Sequence, residues 1–149
     1  MDLPARPRFL IIGGGIMGSA TAYELACAGH AADTLVIEPD PTYEFASTLR
    51  ASGGCRVQFT CPENIRMSLD SLAFIKDFER TMATRERAAP IDWVEGGYLF
   101  IVPPEHVGAL ERNVRRQKDH GCVVDLLDPG QLKDRFPSMR VDDLGAGAH

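Results

Sequence analysis

The chain has 149 residues, which is enough for a compact domain with its own core. Apolar residues make up 44% of the chain and charged residues 25%, as in ordinary globular proteins, and the formal net charge of −5 disfavours nucleic acid or an anionic membrane as a partner. No apolar run is long enough to span a membrane and no targeting segment precedes the first apolar run, so the sequence predicts a soluble, cytoplasmic protein.

The first predicted elements form a strand, a helix and a second strand. The apolar run Phe9–Ile12 has strand length and is followed at once by glycines, which suits a strand buried on both faces of a parallel sheet. Residues 16–28 favour a helix that stops at Gly29. Thr34–Ile37 predicts the second buried strand, and Glu38 stands at its end.

The glycine-rich segment between the first strand and the helix has the spacing of a phosphate-binding turn. Gly13, Gly15 and Gly18 match the spacing G-x-G-x-x-G, and Glu38 lies twenty residues beyond the last of them. Gly13 allows a tight turn, Gly15 lets a pyrophosphate approach the backbone, and Gly18 lets the helix pack on the strand. We therefore expect a dinucleotide site in which phosphates face the helix N-terminus. Glu38 should face the turn from the end of a neighbouring parallel strand and accept hydrogen bonds from a ribose.

The motif alone does not distinguish FAD from NAD. The loop over residues 46–56 favours a bulky flavin, because it supplies hydroxyl groups, two arginines and adjacent glycines that let the backbone lie against a flat ring. A nicotinamide-dependent dehydrogenase would be expected to continue with a third regular strand soon after Glu38.

The later elements predict a mixed helix and strand region. We expect helices over residues 62–84, 105–120 and 129–136, and strands over residues 97–102 and 122–127. The small residues of the segment 145–149 predict a tail that packs against nothing. The four cysteines contain no Cys-x-x-Cys pair and the four histidines are scattered, so we predict no metal site.

Several of these segments resemble D-amino-acid-oxidase-type FAD-dependent oxidoreductases, a family that includes glycine, sarcosine and dimethylglycine oxidases or dehydrogenases. The resemblance lies in Ile11–Gly18, Val36–Glu38 and Ala46–Thr48. Ser52–Phe59 followed by Pro62–Ile65 is similar to one branch, the FAD-dependent oxidoreductase domain-containing proteins, whose mitochondrial member assists assembly of respiratory complex I. That member makes a mitochondrial location an alternative to the cytoplasm.

The resemblance implies which residues contact the cofactor FAD and which could contact the substrate. Arg56 is similar to arginines that approach the flavin or the substrate carboxylate, although the local alignment is displaced by one residue, and its alternative is a surface arginine. The resemblance names no other catalytic residue. The implied FAD-binding residues are Gly13, Gly14, Gly15, Ile16, Met17, Gly18, Glu38, Ser47, Thr48, Ser52, Gly53 and Gly54.

The fold class implied is α/β. Residues 1–90 would be the N-terminal part of a Rossmann-type FAD-binding domain, and residues 91–149 the beginning of an α+β substrate-binding domain. Because family members are several hundred residues long, the sequence suggests a truncated chain whose missing C-terminal half could come from a separate chain. Such a chain should hold FAD weakly on its own and be inactive.

The expected function is oxidation of the C–N bond of an amino acid or N-methylated amine by hydride transfer to flavin. A non-catalytic assembly or partner protein that keeps the fold is one alternative, and an NAD-dependent dehydrogenase module is another.

Overall fold

The structure, a computed structural model, describes residues 6–149. The chain forms two compact units, the first ending at Gly54 and the second running from Cys55 to His149. Residues 55–90 belong to the second unit by their contacts, whereas the sequence suggested a functional boundary near residue 90. That functional boundary concerns cofactor and substrate binding and stays a prediction.

The first unit contains a parallel pair of strands joined by a helix. Strand β1 (Phe9–Ile12) pairs with β2 (Thr34–Ile37) in a register that sets Phe9 opposite Thr34 and Ile12 opposite Ile37. Helix α1 (Ile16–Cys27) connects them, with a single turn of 3-10 helix at Ala31–Asp33 before β2. The strand–helix–strand order predicted from the sequence is confirmed. A one-turn helix, α2 (Ser47–Arg50), follows in the loop beyond β2.

The sequence predicted two strands that are buried on both faces, but in the structure their side chains are exposed or half-buried. The side chain of Ile12 is 83% exposed, those of Leu10 and Ile37 are about half exposed, and no residue of α1 is buried. A single helix and a neighbouring strand cover too little of the sheet to remove these apolar side chains from water. The described part of the first unit therefore lacks a buried side-chain core.

The second unit combines four helices with a three-stranded antiparallel sheet. The sheet has the order β3-β5-β4, so the strand that comes last in the sequence lies in the middle. A single turn of 3-10 helix at Pro104–His106 precedes α5. The elements in chain order are α3 (Pro62–Lys76), α4 (Phe78–Met82), β3 (Phe100–Val102), α5 (Val107–Asp119), β4 (Leu126–Leu127), α6 (Pro129–Arg135) and β5 (Ala146–Ala148).

The core of this unit lies where α3 and α5 pack on the sheet. Ile65 of α3 is fully buried, and half-buried apolar side chains such as Phe59 and Val102 pack against the cluster. Within residues 6–149 no helix is both long and apolar enough to cross a membrane. The buried cluster consists of Ile65, Leu110, Val114, Cys122, Val124, Ala146 and Ala148.

Several predicted elements are shorter in the structure. The helix expected over residues 62–84 breaks at Asp77, where φ is −103° and ψ is 6°, and α4 follows as a separate short helix. The strand expected over 97–102 begins only at Phe100, whose partner in the sheet is Ala148, the last residue of β5.

The expectation that residues 145–149 pack against nothing is wrong. Ala146–Ala148 form β5, and all three residues are buried. A Cβ atom at Gly145 would lie 2.5 Å from the Cα atom of Pro104, and one at Gly147 would lie 2.7 Å from Leu132. The small residues that suggested a loose tail therefore allow β5 to pack closely against Pro104 and Leu132 in the middle of the sheet.

Candidate functional site

The turn between β1 and α1 requires glycine at two of its motif positions. Gly13 has a φ of 98°, which side chains with a Cβ atom rarely tolerate. At Gly18 a Cβ atom would lie 1.9 Å from the carbonyl oxygen of Gly13, well inside contact distance. The close packing of helix on turn that was predicted for Gly18 is therefore present.

A Cβ atom at Gly15 would meet the protein only at ordinary contact distance. The nearest atom to a Cβ at this position would be Oγ1 of Thr48, at 3.4 Å, so the fold itself tolerates a small side chain there. Gly15 is also the N-cap of α1 and gives the helix no side-chain cap. Among the described residues, no acceptor bonds the backbone N–H groups of Gly15, Met17 and Gly18. The start of α1 thus offers unpaired donors and the positive end of the helix dipole.

Glu38 lies directly after β2 with its carboxylate on the turn. Oε2 accepts a hydrogen bond from the backbone N–H of Gly14 at 2.6 Å, and Oε1 accepts one from the N–H of Asp40 at 3.0 Å. The expected placement of this carboxylate is confirmed. Each oxygen keeps acceptor capacity for a further donor, which is what a ribose hydroxyl needs.

The loop after β2 brings one of its predicted residues to the turn. Thr48 Oγ1 accepts a hydrogen bond from the backbone N–H of Ile16 at 3.1 Å, so the threonine sits at the first turn of α1. Ser47 begins α2 and is exposed. Within residues 6–149 no hydrogen bond connects Ser52, Gly53 or Gly54 to the turn. Their predicted place along a flavin stays a prediction.

Tyr43, which was not predicted from the sequence, also lies beside the turn. Its backbone N–H donates to the carbonyl of Asp40 at 3.0 Å, and its φ is 59°. The Thr42 hydroxyl and N–H hold the pKa of the Asp40 carboxyl below its usual range, which stabilises this turn. Asp40 followed by Pro41 is a turn signal that could have directed attention here.

Arg56, the candidate catalytic residue, belongs to the second unit. Its guanidinium carbon lies 4.3 Å from the ring centre of Phe59 and 5.4 Å from that of Phe100. Among residues 6–149 no carboxylate contacts it and no acceptor bonds it. Two aromatic rings thus hold a cation whose donors remain available.

Arg56 lines an open cavity of about 560 Å³ in the second unit. The apolar part of its wall comes from α5 and β3, including Leu110, Phe100 and Val102. Eight of the side chains that line the cavity can form hydrogen bonds, and the imidazole of His106 is one of them. These polar side chains are Arg56, Gln58, Thr60, Cys61, Asn64, His106, Asn113 and Gln117.

Two glutamines in this wall are buried and were not singled out from the sequence. Gln58 is 8% exposed and Gln117 is 6% exposed. Gln117 Nε2 donates to the carbonyl of Phe59 at 3.2 Å, and Cys122 Sγ donates to the carbonyl of Val57 at 3.7 Å. These bonds fix the segment that carries Arg56. Burial raises the pKa of the Cys122 thiol, so it serves packing rather than nucleophilic chemistry.

Comparison with known proteins supplies a family and several relatives. The profile described as "DAO: FAD dependent oxidoreductase" matches residues 8–149. The FAD-dependent oxidoreductase domain-containing protein 1 of Xenopus laevis is 37% identical over 150 residues, covering 98% of this chain and 30% of that protein. The mitochondrial sarcosine dehydrogenase of Mus musculus is 27% identical over 143 residues, covering 95% of this chain and 15% of that protein.

Two solved structures share the fold. L-proline dehydrogenase from P. horikoshii superposes with a TM-score of 0.80 and 28% identity, covering 98% of this chain and 37% of that one. Glycine oxidase from Geobacillus kaustophilus superposes with a TM-score of 0.72 and 26% identity, covering 96% of this chain and 39% of that one. The chain therefore spans between 15% and 39% of the length of each of these four proteins.

Proposed function

Because the chain belongs to the DAO family of FAD dependent oxidoreductases, we propose that the protein carrying it binds FAD at the turn between β1 and α1. We further propose that it oxidises the C–N bond of an amino acid or N-methylated amine. The observation that carries the proposal is the Glu38 carboxylate, bonded to Gly14 beside the unpaired N–H groups of α1. When bound, FAD supplies the ring that accepts a hydride from the substrate carbon.

The residues of the turn fit the adenosine and phosphate parts of FAD. The unpaired N–H groups of Gly15, Met17 and Gly18 can donate to pyrophosphate oxygens, with the helix dipole adding attraction for the negative charge. Because Gly15 has no Cβ atom, a phosphate has room against its backbone beside Thr48. Glu38 would hold the ribose hydroxyls and repel a 2′-phosphate.

Ser47 and Thr48 are proposed to lie along the phosphates, and Ser52, Gly53 and Gly54 along the flavin. Support for Thr48 comes from its hydrogen bond with the first N–H of α1. Gly53 has a φ of 69° and open space around it, so its backbone can lie against a flat ring. Ile16 and Met17 have exposed side chains. Met17 would contribute its unpaired backbone N–H, whereas the N–H of Ile16 holds Thr48 beside the turn.

Arg56 is the proposed anchor for the substrate carboxylate. Its guanidinium has a defined position against Phe59 and Phe100, no competing carboxylate among the described residues, and a polar cavity beside it. A planar fork of donors binds a carboxylate with two parallel hydrogen bonds and so orients the substrate. The names of the similar proteins, which act on proline, glycine and sarcosine, support an amino-acid or N-methylated amino-acid substrate.

Replacing Gly15 by valine tests cofactor binding. The branched side chain would fill the space proposed for a phosphate, and the open surroundings of Gly15 should let the chain fold as before. We expect Gly15→Val in the protein that carries this sequence to lose flavin absorbance while keeping its circular dichroism spectrum. Gly96→Val, at a glycine with open space and ordinary φ, is the matched control. Normal flavin content in Gly15→Val would contradict the assignment.

A non-catalytic role is the second candidate, because the 37% identical relative is named only for its domain, whereas the 27% identical one is named for a reaction. Anaerobic mixing with proline, glycine and sarcosine separates the two candidates. Bleaching of the flavin absorbance by one of these substrates, with loss of bleaching in Arg56→Leu, supports an enzyme. Bound flavin that none of the three reduces supports an assembly or partner protein.

The other alternative was an NAD-dependent dehydrogenase module. The family assignment favours FAD over NAD as the cofactor.

We also propose that a further stretch of polypeptide, in the same or a separate chain, completes the FAD-binding fold. Support comes from the apolar side chains of Leu10, Ile12 and Val36 in the first sheet, which are exposed. The 149 residues alone should hold FAD weakly and be inactive. Co-expression with the C-terminal portion of a family member should restore flavin content, and retention of FAD by the chain alone would contradict this.

The cellular compartment is also open to test. We propose the cytoplasm, and the mitochondrial sarcosine dehydrogenase is the relative that makes mitochondria the alternative. Fractionation with antibody detection of the native protein would decide between them.

A further inference from the structure

Tyr43 adopts a backbone conformation that favours glycine. Among the described residues it is the one non-glycine residue with positive φ, at 59°. The conformation is fixed by hydrogen bonds on both sides, from its own N–H to the carbonyl of Asp40 and from the N–H of Ala46 to its carbonyl, each 3.0 Å long. A bulky side chain in this region is an outlier that costs free energy, and such outliers concentrate at binding sites.

The side chain of Tyr43 lies on the glycine-rich turn. Its hydroxyl oxygen would be 2.8 Å, and its Cε1 3.4 Å, from a Cβ atom at Gly14. Gly14 occupies a position where the G-x-G-x-x-G pattern accepts any residue, and the absence of a Cβ atom here leaves room for the tyrosine hydroxyl. The N–H of the same Gly14 bonds the Glu38 carboxylate. Ring, glycine and carboxylate are thus next to one another.

The hydroxyl of Tyr43 has an unused hydrogen-bonding capacity. Within residues 6–149 no donor or acceptor bonds it, although the side chain is half-buried. A half-buried tyrosine usually places its hydroxyl against a polar partner. The neighbouring Glu38 is the residue proposed to hold the adenosine ribose, so the hydroxyl points to the same half of the cofactor.

We propose that Tyr43 is a further contact of the adenosine diphosphate moiety of FAD. Its ring forms one wall of the adenosine half of the site, and its hydroxyl donates a hydrogen bond to a ribose or phosphate oxygen. The positive φ is retained because it brings the ring onto Gly14. This inference rests on the proposed binding of FAD at the turn.

The test measures affinity for ADP, which carries the adenosine half without the flavin. The protein that carries this sequence is stripped of FAD and titrated with ADP by calorimetry. Tyr43→Phe removes only the hydroxyl and should weaken ADP binding about threefold to tenfold, the effect of one hydrogen bond. Tyr43→Asn removes the ring but keeps a residue that accepts positive φ, and should weaken ADP binding by more than about tenfold.

Tyr98→Phe, which removes the hydroxyl of an exposed tyrosine in the second unit, is the matched control and should bind ADP as the unmodified protein does. Unchanged ADP affinity in Tyr43→Phe and Tyr43→Asn overturns the inference, as does a loss for FAD without a loss for ADP. If Tyr43→Asn unfolds, judged by its melting temperature, Tyr43→Phe decides alone. An unmodified protein that binds neither FAD nor ADP overturns the proposed function instead.

Discussion

The two units of this chain are built by different means. In the second unit the buried apolar side chains gather where helices pack on a sheet, and Ile65 and Leu132 are fully enclosed. In the described part of the first unit no apolar side chain is buried, and its organisation comes from glycine conformations and backbone hydrogen bonds around Glu38. Side-chain packing specifies one unit, whereas local backbone geometry specifies the candidate site in the other.

The difference extends to the helix N-termini. The first N–H groups of α6 are satisfied by a capping box, in which Asp128 Oδ1 accepts from the N–H of Gln131 and the Gln131 side chain accepts from the N–H of Asp128. Helix α1 begins at Gly15 without a side-chain cap. A closed terminus serves stability, and an open one is free to bind an anion.

The largest expected effect is on the packed core. Ile65→Ala in the 149-residue chain should lower the free energy of unfolding by about 2–5 kcal/mol, because a fully buried branched side chain leaves a cavity. Ile12→Ala, at a side chain that is 83% exposed, should change it by less than about 0.5 kcal/mol. Urea unfolding measures both. Equal losses of unfolding free energy in the two variants would show that the side chains of the first sheet are also buried. The contrast between the two units would then be wrong.

Next in size is the effect of a methyl group at Gly18. Because its Cβ would lie 1.9 Å from the Gly13 carbonyl oxygen, Gly18→Ala should displace the turn and cost about 1–3 kcal/mol. Gly15→Ala, whose methyl group would lie at ordinary contact distance, 3.4 Å, from Thr48 Oγ1, should keep the melting temperature of the unmodified chain. Thermal unfolding followed by circular dichroism compares the two. Equal stability of both variants would mean that local geometry does not specify the first unit.

A third prediction concerns Glu38. Glu38→Ala should weaken FAD binding by about 1–3 kcal/mol, on the order of tenfold to hundredfold, because a charged acceptor is removed from the ribose. Glu24→Ala, an exposed acid on α1, should leave the affinity unchanged. Quenching of flavin fluorescence on binding to the stripped protein measures the dissociation constants. Similar constants for the two variants would remove Glu38 from the site.

The smallest expected effect is at the capped helix. Asp128→Ala should lower the free energy of unfolding by about 0.5–2 kcal/mol, because it exposes donors at the start of α6. Asp134→Ala, an exposed position within the same helix, should have little effect and serves as the control. Neither change should affect flavin content. A loss of flavin in Asp128→Ala would show that the two units do not divide packing and binding as described.

The candidate site in the first unit could be predicted because its information is local. Gly13, Gly18 and Glu38 occupy positions where spacing and residue type imply a conformation, and the structure has those conformations. Tyr43 was not predicted, because the turn signal of Asp40 and Pro41 does not show that the tyrosine after it has a positive φ. Its position follows from the turn begun by Asp40 and from the space that Gly14 leaves.

The fold of the second unit was harder to predict because its strands are short and pair over long distances. Phe100–Val102 and Leu126–Leu127 have too few residues to show a clear alternation. The Gly-Ala segment that became β5 has none of the β-branched residues that usually identify a strand, and its burial depends on Pro104 and Leu132 far away in the sequence. Tertiary contact, rather than local preference, decides that element.

The order of strands in the second unit has a consequence for synthesis. Strands β3 and β4 do not pair with each other, and each pairs only with β5. As the polypeptide emerges from the ribosome, Phe100–Val102 must therefore wait for more than forty further residues before acquiring a partner. During that interval its apolar side chains are available to chaperones or to unwanted association, whereas β1 can pair with β2 after a delay of about half that length.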